Sequence, residues 1–115
     1  MKYLLLIHSG GDAWAHFNSL GDEEQKQISA EYMDISSTPG VIGGHQLHPA
    51  DTATTVRVQD GRTLTTDGPF IEMKEALGGY YLYEAANLDA AIALAARIPA
   101  ARLGGAIDVR PVLER

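Results

Sequence analysis

One order of elements constrains this chain more than any other feature. A strand, a helix and a strand are followed by a hairpin, and then by a second strand, helix and strand. The first strand runs from Tyr3 to His8, a short apolar run closed by Ser9-Gly10-Gly11. A polar loop carrying Trp14, His16 and Phe17 follows. A helix is expected from Glu23 to Ser37, with Asp22 as its cap and Gln25 as the capping-box partner. Ile28, Tyr32 and Ile35 form its apolar stripe, and Pro39-Gly40 stops it. Val41 to Leu47 reads as the second strand.

The mid-chain hairpin is the clearest local signal. Val56 and Val58 alternate with Thr55, Arg57 and Gln59, and Asp60-Gly61 suits a type I′ turn, whose two central residues need positive φ. Arg62 to Thr66 is the returning strand. Gly78-Gly79 then opens a strand from Tyr80 to Ala85. Asn87 caps a helix whose stripe is Leu88, Ala91, Ile92, Ala95 and Ile98, and Pro99 ends it. A last strand spans Ile107 to Val112. This order predicts an α+β, ferredoxin-like fold of the split βαβ type: an antiparallel sheet with two helices on one face. The strands are apolar on both sides, so the other face also needs a cover. In a single domain of 115 residues, spanning 1–115, the economical cover is a second subunit, which predicts a homodimer.

Composition removes several function classes. With no cysteine there is no disulfide framework, zinc-thiolate or iron–sulfur site, and no thiol catalysis. Nine basic residues against fifteen acidic ones give a net charge of −6, which argues against nucleic-acid binding. No apolar run reaches the roughly 18 residues of a membrane span, and Leu4 to Ile7 is too short for a signal-peptide core. A cytoplasmic protein is expected. Phosphate-binding glycine frames and a G-x-S-x-G elbow are missing from the sequence. His45 and His48 flank a strand end without matched carboxylates, so neither a metal site nor a cofactor is expected.

Two places can carry chemistry. Asp67, Glu72, Lys74 and Glu75 crowd the segment after the hairpin, where Asp67-Gly68-Pro69 forms a turn. In an extended segment Glu72 and Lys74 share a face. Asp67 and Lys74 are then candidate catalytic residues and Glu72 a binding residue; the plain alternative is a charged surface loop. His8 ends a strand just before a glycine-rich loop, where an imidazole can look into a cleft and move protons. Trp14 either anchors its loop or covers a ligand, and Tyr81 belongs to an aromatic strand from which one hydroxyl can reach a pocket. Trp14 and Tyr81 complete the candidate binding residues.

Asp67-Gly68-Pro69-Phe70, with Glu72, Lys74-Glu75 and Gly78-Gly79-Tyr80, resembles the YCII-related (DGPF-domain) family. Lys2-Tyr3, Leu47-x-Pro49, Ala53-Thr54-Thr55-Val56-Arg57 and Asp108-Val109-Arg110-Pro111-Val112 extend the likeness over nearly the whole chain. The resemblance implies a ferredoxin-like fold that dimerises sheet against sheet as a dimeric α/β barrel. Some relatives are thought to be small-molecule enzymes with a His–Asp pair. Ser29 and Thr38 stand about where that pair would fall, so the pair does not carry over. Three readings follow: a cofactor-independent acid–base enzyme for a small organic molecule, a ligand-binding or transcription-associated regulatory module, or a purely structural DGPF loop.

Overall fold

The computed structural model describes residues 1–10, 13–69 and 75–114. Its central element is β1 (Lys2–Gly10), which is hydrogen-bonded along both edges. The chain continues through α1 (Ala13–Ser19), α2 (Asp22–Ser36) and β2 (Val41–Gln46). A single 3₁₀ turn, Ala50–Thr52, leads into the hairpin of β3 (Thr54–Gln59) and β4 (Arg62–Asp67). β5 (Glu75–Glu84), α3 (Leu88–Arg97), a 3₁₀ turn at Pro99–Ala101 and β6 (Ala106–Pro111) complete it. The four-stranded sheet has the order β2-β5-β1-β6, and every neighbouring pair is antiparallel. That topology fits the expected ferredoxin-like split βαβ arrangement. β3 and β4 form a sheet of their own.

Alternation along β1 divides the molecule. Tyr3, Leu5 and Ile7 point to one face and are buried, together with Tyr81 of β5. Ile35 of α2 and Ala91, Leu94 and Ile98 from the α3 region pack on them. Leu5 and Ile98 are completely inaccessible to solvent. Burying a side chain of that size stabilises the fold by roughly 1.5–3 kcal/mol.

Local expectations are met where one short signal suffices. Asp60 and Gly61 have φ of 52° and 75°, as a type I′ turn requires. The Asn87 side chain accepts a hydrogen bond from the Ala90 N–H at 2.9 Å and caps α3.

Four local expectations are corrected. The loop bearing His16 and Phe17 contains α1, a helix too short to persist alone. It is held by tertiary bonds: Gln25 Nε2 donates to the carbonyls of Phe17 (3.0 Å) and Leu20 (3.1 Å). Gln25 is therefore not a capping-box partner, and the cap position of α2 is Gly21, in extended conformation, with Asp22 already inside the helix. Asp22, Glu23 and Glu24 still favour the positive end of the helix dipole. Gly78-Gly79 lie inside β5 rather than opening it. A Cβ at Gly79 would sit 2.9 Å from the His45 carbonyl, and one at Gly44 would sit 2.6 Å from the Tyr80 carbonyl. The glycines let β2 and β5 approach closely. In α3 the buried residues are Ala91, Leu94 and Ala95, whereas Leu88 and Ile92 are about half exposed. The tighter i, i+3, i+4 set faces the sheet.

Burial pushes the Tyr32 hydroxyl above the usual tyrosine pKa, partly opposed by a backbone hydrogen bond with Ala100. A raised pKa of this kind leaves stability intact below the unfolded value, about 10, and removes it as pH rises through the folded value. Tyr32→Phe should therefore flatten the alkaline limb of a urea-denaturation series run from pH 8 to 12. An unchanged limb would show that Tyr32 does not contribute to it.

Candidate functional site

The even-numbered side of β1 builds the second face of the sheet. Strand register lines up His45 (β2), Tyr80 (β5), Leu6 (β1) and Asp108 (β6) in one row across all four strands. At about 4.8 Å per strand this row is roughly 14 Å long. Leu82, Leu4 and Arg110 form the row on one side. Leu77, His8 and Ala106 form the row on the other. Leu4, Leu6, Tyr80 and Leu82 are only half-buried, and no described helix lies over them. The face is thus a leucine floor with polar groups at its margins. His45 and Tyr80 meet edge to face, with ring centroids 5.9 Å apart.

His8 and Asp108 make the chemically distinctive contact. They are diagonal neighbours on β1 and β6, and His8 Nε2 lies 3.0 Å from Asp108 Oδ2. A carboxylate only accepts, so Nε2 is the donor of this contact, and Nδ1 is the ring nitrogen not engaged by Asp108. His8 is 21% exposed and Asp108 61% exposed, so the imidazole is sheltered but reachable. Two local features fix His8. The β1–β5 register slips between Ile7 and His8, because Gly78 is an extra residue on β5. Bulges of this type re-aim a side chain. On the other edge, a Cβ at Gly105 would collide with the His8 carbonyl and come within 3.0 Å of the Ala100 carbonyl. Only glycine lets that turn pack on the backbone of His8.

The remaining sequence candidates fall in different places. Asp67 ends β4 and is exposed, and no hydrogen bond or ion pair joins it to His8. The turn after it is tied to the start of the hairpin. The Gly68 N–H donates to the Ala53 carbonyl (2.7 Å), and Thr55 Oγ1 donates to the Gly68 carbonyl (2.7 Å). Gly68 has φ of 95°, a conformation that favours glycine. Tyr81 lies on the helix-covered face, 6% exposed, with its hydroxyl donated to the Tyr32 carbonyl at 3.1 Å. Its neighbour Tyr80 is the tyrosine that shares a face with His8. Glu72, Lys74 and the Trp14 side chain lie outside the described residues. The segment bearing Glu72 and Lys74 rejoins the sheet where Glu75 pairs with Gly10, two residues beyond His8.

Ser29 and Thr38 do other work. Ser29 lines a shallow open groove on the helical side with Phe17, Lys26 and Met33. Thr38 Oγ1 donates to the Asp34 carbonyl at 2.9 Å and helps close α2. On the same side Arg102 meets Glu31 at 2.5 Å. That guanidinium, helped by Gln27, holds the Glu31 carboxyl below its usual pKa. Among the described residues no three His, Asp or Glu side chains converge as metal ligands.

In the sequence, Asp108 and Arg110 stand out only as parts of the closing-strand motif Asp108-Val109-Arg110-Pro111-Val112. The available signal was alternation: residues 108 and 110 share a face, and so do residues 4, 6 and 8. Only the β1–β6 register joins the two sets.

The antiparallel α+β architecture and this motif series define the class. The chain belongs to the YCII-related family, whose domain matches it over residues 1–115. It is similar to an uncharacterised protein of Rhizobium meliloti (strain 1021), with 41% identity over 117 residues, 97% of this chain and 92% of that protein.

Gly105→Ala should cost about 1–3 kcal/mol in urea denaturation, the usual range for forcing extra volume into a packed site. It should also shift the His8 ring resonances in NMR spectra. Unchanged stability together with unchanged His8 resonances would show that the turn does not position His8.

Proposed function

We propose that the protein is a homodimer, packed sheet to sheet, that performs cofactor-independent acid–base chemistry on a small organic molecule. The observation that carries the reading is the His8–Asp108 pair at 3.0 Å beside the half-buried leucines of a face that no described helix covers. His8 Nδ1 takes a proton from a carbon next to an electron-withdrawing group. Asp108 holds the imidazole in the required tautomer and stabilises the imidazolium that forms. Return of the proton at another position completes an isomerisation; loss of an anionic group completes an elimination. Lys74 is the candidate for stabilising the developing negative charge. The second subunit excludes water from the face and strengthens each of these interactions. A cytoplasmic setting suits the reading.

The exposed surface supports the dimer. The chain presents 8165 Å² to solvent, whereas a compact monomer of 12.4 kDa presents about 6,100 Å². Its radius of gyration is 15.9 Å, against about 13 Å for a compact chain of this length. The surplus of about 2,000 Å² exceeds the roughly 800 Å² per partner of a standard interface. Part of it lies on the β3–β4 hairpin, where Val56 and Val58 are 59% and 71% exposed. A two-stranded hairpin is marginal by itself in water. The Gly68 ties to Ala53 and Thr55 favour a structural role for the Asp67-Gly68-Pro69 turn beside this chemistry.

Wild-type protein should sediment as a dimer at micromolar concentration, and Leu6→Asp should sediment as a folded monomer. A monomeric wild type would sink the assembly. For any isomerisation or elimination found by substrate screening, His8→Asn should lower kcat by about 10²–10⁴. Asp108→Asn should lower it in the same direction, while Asp67→Ala should leave it unchanged. Full activity in His8→Asn would remove the mechanism.

A further inference from the structure

We propose that Arg110 makes the open sheet face selective for small apolar molecules carrying a carboxylate. The inference rests on the reading above and gives its site a substrate class. Arg110 lies opposite Leu4 and two residues beyond Asp108 on the same side of β6. Neighbouring same-face positions on a strand are about 6.6 Å apart. Asp108 is engaged with His8, and among the described residues Arg110 has no ion pair or hydrogen bond.

An unpartnered guanidinium beside a leucine floor is an expensive group to cover. Once the face is closed, a buried cation without a counter-charge is strongly destabilising. Its planar fork matches a carboxylate with two parallel hydrogen bonds. No glycine-rich loop flanks Arg110, and the cation diagonal to it on β1, Lys2, stands opposite Glu84 of β5, so a planar carboxylate suits Arg110 better than a phosphate. With a net charge of −6 the protein as a whole repels anions, so a local cation confers discrimination. Size follows from register. Leu4, opposite Arg110, and His8 are four residues apart on β1, about 13 Å. Two side chains converging over that span leave room for about one ring. The carboxylate sits on Arg110, the ring lies on Leu4 and Leu6, and the far end reaches His8.

Benzoate and benzamide share a ring and differ in head-group charge. In NMR titrations of the wild-type protein, benzoate should shift backbone amides of β1 and β6 around Leu4, Asp108 and Arg110. Benzamide should bind about tenfold or more weakly, the usual consequence of losing a charge-assisted hydrogen bond. Arg110→Gln should bring benzoate down to the benzamide level, and Arg110→Lys should retain part of the preference. Equal binding of the two probes, no benzoate binding by wild type, or full benzoate affinity in Arg110→Gln would each overturn the proposal. Sedimentation of the same samples separates the two claims. A monomeric wild type that still prefers benzoate supports Arg110 as an anion site and overturns the sheet-to-sheet dimer. A wild type that ignores benzoate but dissociates on Arg110→Gln assigns the guanidinium to a carboxylate of the second copy and overturns the ligand site.

Discussion

Hydrogen bonding of β1 on both edges is the constraint from which the other features follow. A strand paired on two sides cannot rotate, so its period of two fixes the environment of every residue it carries. Tyr3, Leu5 and Ile7 meet the helices, while Leu4, Leu6 and His8 lie on the other face. Slipping the register by one residue would exchange the two sets, exposing the core and burying an imidazole under α2 and α3. The helical layer thus determines where His8 points, although it never touches that side of the sheet.

The site uses the same rule at its edges. Asp108 and Arg110 reach the open face because β6 pairs antiparallel with β1 through Leu6–Asp108 and Leu4–Arg110. The bulge at Gly78 and the close approach of Gly105 then adjust one residue, His8, within that lattice. Glycine is required at position 105 by contact with backbone rather than by an unusual φ. The family resemblance implied a His–Asp pair at positions held here by Ser29 and Thr38, whereas the His–Asp contact of this chain joins two neighbouring strands. Ser29, on α2, lines a groove, and Thr38, just beyond the end of α2, helps close that helix.

Legibility followed the range of the interaction. Asp60-Gly61 and Asn87 act within three residues, so their roles were readable from the sequence. α1 was not readable, because the bonds that hold it come from Gln25 in the next helix. A helical stripe can be drawn through Leu88 and Ile92, but the face of α3 that is buried carries Ala91, Leu94 and Ala95, which leaves both about half exposed. Tyr80 and Tyr81 are adjacent and chemically identical, and the face of β5 each occupies separates a site neighbour from a core residue.

By itself the sequence determined the order of the strands and the two longer helices, the hairpin turn, the family resemblance and His8 as a candidate for acid–base chemistry. These depend on local backbone preference, hydrophobic period and residue type. The tertiary structure alone decided that His8 has Asp108 as its partner, 100 residues away, and that Arg110 stands beside them without one. The reason is geometric: strand pairing brings together residues whose separation in the chain carries no information about their separation in space.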